Sequence, residues 1–318
     1  MDEDVIVIGA GVSGLTTAIC LAEAGRRVRV WTAEPTASTV SMVASALWGP
    51  SFVEPVDRTL AWSERSLAAF QELALLPESG VRMASVVTVG ELPPASMLPP
   101  QVTMIPDLRP CEPDELPPEF PAGYRATMPL MDMPRYLAHL TARLEAAGGT
   151  IELRRVDSLS EAAEAAPTIV NCSGLGAREL AGDPEVRPVW GQFVVLSNPG
   201  LTECFLELTT ATESTSFTPH ADRVLCGAIA VPDATGTEPD PELTARILDR
   251  CRRIEPRLAD AEVLGTLVGL RPGRSSVRVE AETIGAARCV HNYGHGSSGV
   301  SLSWGCAQEA AALALDRS

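Results

Sequence analysis

At the start of the chain, apolar residues are grouped into runs as long as a whole strand, and they do not alternate with polar residues from one position to the next. An apolar run from Val5 to Ile8 precedes a glycine turn, and a second run ends at Trp31. Gly25 stands where a left-handed residue ends a helix. Between the runs an apolar stripe recurs at helical spacing: Leu15, Ala18, Ile19 and Ala22. The pattern predicts a βαβ unit.

Two further segments fit the same parallel layer. Gly148-Gly149 ends a predicted helix, and the run from Ile169 to Gly174 is apolar at first and then ends in small residues. Such a strand end is where open α/β sheets bind ligands. The apolar face of the predicted helix consists of Tyr136, Leu137, Leu140, Leu144 and Ala147.

Downstream the pattern changes to strands that predict a second, antiparallel sheet. Asp240-Pro241 then supplies an N-cap and a first-turn proline for a helix, and a final helix is predicted to follow Gly299 through Ala311. The strands cover 192–196, 204–209 and 224–230, with a hairpin turn at 220–222, and the helix after Asp240 faces inward with Leu243, Ile247, Cys251 and Ile254.

Prolines are concentrated between Pro93 and Pro121, which hold ten of the chain's 26. Because proline lacks a backbone N–H, so dense a set excludes a long helix or a central strand. We expect a surface loop. An irregular loop at the edge of the second domain is favoured over a mobile lid that covers the active site.

Composition narrows the class of partner. The chain has 318 residues, of which 45% are hydrophobic and 21% charged, as is ordinary for a globular protein. Its net charge of −16 disfavours nucleic acid and anionic membranes. Apolar runs are too short for a membrane span, and the apolar start follows acids instead of a basic leader, so we expect cytoplasmic residence.

The eight cysteines show no C-x-x-C pair, and the four histidines do not complete a metal site with them. In the cytoplasm we expect these thiols to be reduced and buried. The sequence therefore predicts no metal.

The turn after the first strand carries the chemistry of dinucleotide binding. Glycines at its first, third and sixth positions let backbone N–H groups and a helix N-terminus approach a pyrophosphate. The acid that should follow the second strand is missing at Thr32 and Ala33, so either Glu34 reaches back to the ribose or the ribose is held otherwise. The turn itself consists of Gly9, Ala10, Gly11, Val12, Ser13 and Gly14.

A second loop of small residues runs from His291 to Gly299 into the last predicted helix. Such a loop lets a flat ring approach the backbone, and the helix N-terminus behind it would stabilise negative charge there. The alternative is a packing turn in which His291 and His295 are hydrogen-bonded core residues.

Five segments, taken in order, resemble the D-amino-acid oxidases over nearly the whole chain. They are Val5 to Gly14, Ala44 to Pro50, Val170 to Gly174, Gly269 to Pro272 and His291 to Gly299. The resemblance implies FAD instead of NAD, an amino-acid substrate and oxygen as acceptor. It also implies an α/β fold with a Rossmann-type FAD-binding domain (1–50, 132–186 and 268–318) and a second, mainly antiparallel α+β substrate domain (51–131 and 187–267).

The resemblance also implies roles for individual residues. Arg271 matches the arginine that pairs with the substrate carboxylate; the alternative is a surface arginine in a basic segment with Arg274 and Arg278. Ser297 stands where a glycine lies beneath the substrate amine, and Ser216 lies in a strand that usually carries tyrosine. The implied FAD contacts, besides Arg271 and the glycine turn, are Ser41, Ala44, Ser45, Ala46, Val156, Cys172, Ser173, Gly174, Gly296, Ser297, Ser298, Gly299, Val300 and Ser301.

The implied activity is oxidative deamination of a D-amino acid to the imino or keto acid, ammonia and hydrogen peroxide, with an atypical pocket. Gly49, Ser216 and Ser297 remove bulk or add hydroxyls there, so a flavin oxidase or dehydrogenase of a specialised secondary or cyclic amino acid is the alternative. A non-catalytic flavin protein and an NAD enzyme are weaker alternatives. The sequence leaves the oligomeric state open, a homodimer included.

Overall fold

The protein is described by a computed structural model over residues 4–316. Its strands are β1 (Asp4–Ile8), β2 (Arg27–Thr32), β3 (Val81–Gly90), β4 (Arg109–Pro110), β5 (Gly123–Met131), β6 (Thr150–Leu153), β7 (Thr168–Asn171), β8 (Arg187–Ser197), β9 (Cys204–Leu208), β10 (Glu213–Pro219), β11 (Arg223–Ile229), β12 (Val231–Pro232), β13 (Val263–Gly273), β14 (Arg278–Ile284) and β15 (Ala287–Tyr293). Its helices are α1 (Val12–Glu23), α2 (Val56–Leu73), α3 (Pro100–Thr103), α4 (Met133–Ala146), α5 (Leu159–Ala165), α6 (Ala177–Leu180), α7 (Pro241–Ile254) and α8 (Ser303–Leu315).

The first sheet has six strands in the order β14-β15-β7-β1-β2-β6. All neighbours are parallel except the edge pair β14 and β15. Strand β1 is apolar and buried from Val5 to Ile8, since helices cover both faces of the sheet. The chain leaves β1 toward β2 on one side while β7 lies on the other, so a crevice opens at the carboxyl ends of β1 and β7.

The predicted βαβ unit is confirmed, and its helix ends where the sequence indicated. Gly25 adopts a φ of 82° and its N–H donates to the carbonyl of Ala22. A residue with a Cβ atom rarely adopts this left-handed conformation. The turn that leads into β2 therefore depends on Gly25.

The second sheet follows the order β12-β8-β11-β10-β9-β3-β5-β4, and β13 pairs with β8 along its length. It is antiparallel except where β3 runs parallel to β9. Helix α7 covers one face, and the Asp240 side chain accepts hydrogen bonds from two backbone N–H groups at its start. The predicted N-cap is confirmed.

Three expectations need adjustment. The domain boundary at 268 falls inside β13, whose pairing with β8 places residues 268–273 in the second sheet. The proline-rich segment is mostly irregular but contains one-turn α3 and two-residue β4, short enough for proline to be tolerated at N1 or a sheet edge. The last helix begins at Ser303 instead of directly after Gly299, since 296–298 form a 3₁₀ turn.

One hydrophobic core spans both sheets. It joins Val7 of β1, Val86 of β3 and Leu130 of β5 with residues of α1, α2, α4 and α8. Helices α2 and α8 approach closely at Gly305, where an added Cβ would lie 2.2 Å from the Trp62 carbonyl oxygen. Among residues 4–316, no helix combines the length and apolarity needed to cross a membrane.

Candidate cofactor and substrate site

A cavity of about 1050 Å³ extends from the carboxyl ends of β1 and β2 to the face of the second sheet. It brings together distant parts of the chain: the glycine turn, the 41–46 segment, the end of β7, β13 and the 291–299 loop. The sequence-predicted residues that line it are Gly9, Ala10, Gly11, Val12, Ser13, Ser41, Ala44, Ser45, Ala46, Val156, Cys172, Ser173, Gly174, Arg271, Gly296, Ser297, Gly299, Val300 and Ser301.

The glycine turn is shaped by close backbone contacts. Gly9 has a φ of 106°, and an added Cβ would lie 2.5 Å from the carbonyl oxygen of Cys172. Gly14 lies behind the turn, where an added Cβ would lie 1.9 Å from the Gly9 carbonyl oxygen, so it allows α1 to pack on β1. Ser41 accepts a hydrogen bond from the Val12 N–H at 3.0 Å. The cavity thus meets the N-terminus of α1 at a turn whose glycines allow a close approach to the backbone, which fits the pyrophosphate of FAD.

Segment 41–46 is held against two strands of the second sheet, β5 and β13. The Ala46 carbonyl accepts from the Met131 N–H at 3.1 Å, and the Trp48 N–H donates to the Pro129 carbonyl at 2.8 Å, both on β5. On its other side, an added Cβ at Gly269 would lie 2.7 Å from a methyl carbon of Val43. These contacts hold the segment against β13, close to Arg271.

The 291–299 loop is tied to the glycine turn by buried polar groups. Asn292 donates to the Thr17 hydroxyl at 3.0 Å, and Thr17 donates to the Ser13 carbonyl at 2.6 Å. His295 Nε2 lies 3.1 Å from the Asn292 side-chain oxygen, and burial lowers the pKa of His295 to about 4. His295 is therefore neutral at pH 7 and belongs to this buried hydrogen-bond network, and it also lines the cavity.

One predicted residue of this part of the site faces away from the cavity. The Ser298 hydroxyl lies 2.7 Å from that of Ser51 and does not line the cavity. Its neighbour Ser297 does line the cavity. The turn from Gly296 to Ser298 explains the difference, because successive side chains of a 3₁₀ turn point in different directions.

Arg271 places a positive charge in the cavity. Its Nη1 donates to the carbonyl of Ile229 at 3.1 Å, and among residues 4–316 no carboxylate lies within ion-pair distance. An added Cβ at Gly191 would lie 2.3 Å from Nη1, so the guanidinium rests on the backbone of β8. Burial lowers the pKa of Arg271, yet its ordinary value is so high that it stays charged. A partly buried guanidinium without a carboxylate partner favours an anionic ligand.

The opposite end of the cavity carries several further charges. Glu34, Arg155 and Asp157 line it, as does Arg154, whose guanidinium stacks on Trp31 with 3.7 Å to the ring centroid. Glu34 is exposed, and its carbonyl accepts from the Thr32 hydroxyl at 2.8 Å. Both alternatives for the ribose, Glu34 or another group, therefore stay open.

Ser216 is buried but does not line the cavity. It pairs with Gly227 on β11, and the pairing of β11 with β8 puts Gly227 beside Phe193. An added Cβ at Gly227 would lie 2.5 Å from Phe193 Cδ1. The Phe193 ring therefore occupies the space over this part of the sheet and forms the cavity wall instead of Ser216.

Sequence reasoning missed this wall. Besides Phe193, the second sheet lines the cavity with small and apolar residues, and Arg271 is the charged one among them. A glycine opposite an aromatic residue is the relevant signal, but it becomes visible only with the strand register. The lining residues that were missed include Gly191, Thr212, Ser214, Ile229 and Leu270.

The cysteines are all free thiols, six of them buried and Cys20 and Cys111 partly exposed. Outside the cavity, possible ligand atoms of Glu282, Cys289 and His291 lie within 4.8 Å of one another. His291 Nε2 lies 2.7 Å from the Glu282 carboxylate, so these two already satisfy each other by a hydrogen bond.

Comparisons with known proteins agree with this geometry. The family model described as FAD dependent oxidoreductase matches residues 4–313. The chain is 49% identical to D-amino-acid oxidase of Streptomyces coelicolor, covering 98% of this chain and 97% of that protein. It is 47% identical to D-amino-acid oxidase of Rubrobacter xylanophilus, covering 97% and 95%. A glycine oxidase structure from Geobacillus kaustophilus has the same fold, with a TM-score of 0.80, 20% identity and coverage of 98% and 95%.

Proposed function

Because the chain belongs to the family of FAD-dependent oxidoreductases, we propose that it oxidises a D-amino acid to the imino acid. Water then hydrolyses this product to the keto acid and ammonia, and oxygen is reduced to hydrogen peroxide. The observation that carries the proposal is Arg271, a partly buried cation with no carboxylate partner among residues 4–316, in the same cavity as the dinucleotide turn. The relatives named D-amino-acid oxidase support the D configuration.

FAD, when bound, supplies the ring that accepts two electrons and the hydrogen from the substrate's α-carbon. Arg271 would hold the substrate carboxylate with its planar fork, whose orientation is fixed by the Ile229 carbonyl and the Gly191 backbone. The substrate side chain would then lie along β8 toward Phe193. These contacts orient the α-carbon without a catalytic acid or base.

Among residues 4–316, the cavity wall formed by the second sheet offers no carboxylate or imidazole to remove a proton from the substrate. The amine must therefore reach the site neutral, having lost its ammonium proton to water. We expect kcat/KM to rise with pH through the range where the amino group of the substrate titrates.

The test is an anaerobic spectrum of the purified yellow protein before and after addition of D-alanine, D-proline or D-phenylalanine, and of each L-enantiomer. Loss of the flavin absorbance with the D-amino acids alone is the expected result. Loss with the L-enantiomers would refute the assigned configuration. Response to cyclic amino acids alone would favour the specialised secondary amine, which the tyrosine-free strand β10 also admits.

We also propose a role in D-amino acid metabolism in the cytoplasm, supported by the eight free thiols. The flavin-binding domain would comprise 1–50, 132–186 and 274–318, and the rest would form the substrate domain. The shift of its last boundary from 268 follows the pairing of β13 with β8.

A further inference from the structure

A line of hydrogen bonds runs from the protein surface to the cavity at the end of β7. It begins at Glu282 on β14, whose side chain is 45% exposed, and passes through His291 and Asn171, both fully buried. It ends at Ser173, which lines the cavity. His291 and Asn171 are paired residues of the parallel strands β15 and β7, so the sheet itself aligns them.

The direction of each hydrogen bond is set from both ends of the line. Glu282 can only accept, so His291 Nε2, 2.7 Å away, carries a hydrogen. At the other end the Ser173 N–H needs an acceptor, so the oxygen of the Asn171 amide faces it at 3.2 Å. The Asn171 NH₂ group therefore faces His291 Nδ1 at 3.3 Å, which accepts only in a neutral ring.

The same orientation settles the Ser173 hydroxyl. Its oxygen lies 2.6 Å from the Asn171 side-chain oxygen, which can only accept, so the hydroxyl hydrogen points inward. The lone pairs of Ser173 remain for the cavity. FAD offers hydroxyl groups on its ribityl chain and ribose that donate to such an acceptor, whereas its phosphates do not.

The surroundings of His291 favour the neutral ring. The charged groups that face it are Glu282, Glu280 and Arg278, all on β14. Its own strand contributes the thiol of Cys289 and the ring of Tyr293, and α5 contributes apolar residues to the same cluster as Cys289. Burial lowers the pKa of His291 although Glu282 opposes this effect.

We propose that neutral His291 is a positioning residue that, through Asn171, holds Ser173 as a hydrogen-bond acceptor for a hydroxyl group of FAD. The inference rests on FAD binding and not on the identity of the amino acid oxidised. Protonation of His291 would place an N–H against the Asn171 NH₂ group. Asn171 would then have to turn over, which would leave the Ser173 N–H without its acceptor and weaken FAD binding.

The test measures FAD affinity from the fluorescence of flavin released when the holoprotein is diluted, between pH 8 and pH 4.5. We expect about tenfold weaker binding for the wild type at the acidic end and for His291→Leu at every pH, as for a lost buried hydrogen bond. His291→Asn keeps an acceptor for Asn171 but cannot be protonated, so its affinity should stay near the pH 8 wild-type value throughout. His139→Asn, on α4 away from the cavity, is the matched control and should follow the wild type.

A His291→Leu protein that binds FAD like the wild type at pH 8 would overturn the proposal. So would an acid-induced loss in His291→Asn equal to that of the wild type. Far-UV circular dichroism of each variant at pH 8 separates loss of FAD from loss of fold. None of these measurements involves a substrate, so they remain decisive even if the proposed D-amino acid activity fails.

Asn171→Asp is a second test variant, for which we expect the opposite pH dependence of FAD affinity. Its carboxylate still accepts from Ser173, but the other oxygen faces Nδ1 and favours a protonated His291. FAD should then bind more tightly as the pH falls. Nitrogen-15 spectra of histidine-labelled protein test the ring directly, since the chain has only four histidines. We expect His291 to be in the Nε2–H form at pH 8, and the Nδ1–H form would refute the proposed hydrogen-bond arrangement.

Discussion

At the scale of single residues, Arg271 and the groups that orient it decide whether the cavity binds a carboxylate. We expect Arg271→Met to lower kcat/KM for D-amino acids by roughly a thousandfold, because two charge-assisted hydrogen bonds are lost. The flavin spectrum should be unchanged. Arg187→Met on β8, an exposed member of an ion pair with Asp233, is the control and should retain full activity. Equal activity of both variants would exclude Arg271 as the anchor.

Gly191 on β8 lies against the guanidinium of Arg271 and so affects the same carboxylate contact. In Gly191→Ala the new Cβ would lie 2.3 Å from Arg271 Nη1, so the guanidinium must move. We expect KM for D-amino acids to rise about tenfold while kcat and FAD affinity change little, since about 1.4 kcal/mol of carboxylate binding corresponds to that factor. Steady-state kinetics test this. Gly236→Ala, with open space around it, should behave as the wild type; an unchanged KM in Gly191→Ala would contradict the contact.

Phe193 should set the size of the substrate side chain. Its ring fills the space over Gly227 and is only 7% exposed. Phe193→Ala should raise kcat/KM for D-tryptophan relative to D-alanine by roughly tenfold, because it opens room at the wall. Phe217→Ala is the control, since that ring stacks on the ring of Phe205 and does not line the cavity. An equal change of this kcat/KM ratio in Phe193→Ala and Phe217→Ala would indicate a general loosening of the packing instead.

At the scale of elements, the sequence was informative wherever a structure depends on neighbours along the chain. The glycine turn, the end of α1 at Gly25 and the N-cap Asp240 are local patterns, and each was predicted at its place. The wall of the cavity was not. Ser216 was expected there, but the register of β10, β11 and β8 brings Phe193 over it, and register depends on long-range pairing that includes a bulge between Glu213 and Ser216.

Helix α7 gives a test of a purely local interaction. Asp240 accepts from the N–H groups of Glu242 and Leu243, and its removal leaves both without a partner. We expect Asp240→Ala to lower the free energy of unfolding by about 1 kcal/mol, and Asp240→Asn by much less. Chemical denaturation measures both. Equal destabilisation of the two variants would contradict a capping role for the side chain at this position.

At the scale of the whole molecule, the two sheets share one core, so cofactor and substrate regions are expected to unfold together. Val7, Val86 and Leu130 come from different sheets and belong to one buried cluster. The site lies across this junction, with the glycine turn on one sheet and Arg271 on the other. Local sequence patterns predicted both the glycine turn and Arg271, but the distance between these two parts of the site follows only from this packing.

Buried histidines make the stability of this joint core sensitive to acid. Burial lowers the pKa of His295 from its ordinary 6.5 to about 4, so folding favours the neutral ring. Its stabilisation is complete above pH 6.5 and is lost as the pH falls toward 4, by up to ~3 kcal/mol. Asp183, whose pKa lies below its ordinary value because Tyr293 and Arg274 outweigh its burial, loses stabilisation only at lower pH. In denaturation experiments at saturating FAD, the free energy of unfolding of His295→Gln should therefore fall less between pH 6.5 and 4.5 than that of the wild type. Identical declines in the two proteins would assign the acid sensitivity to other groups.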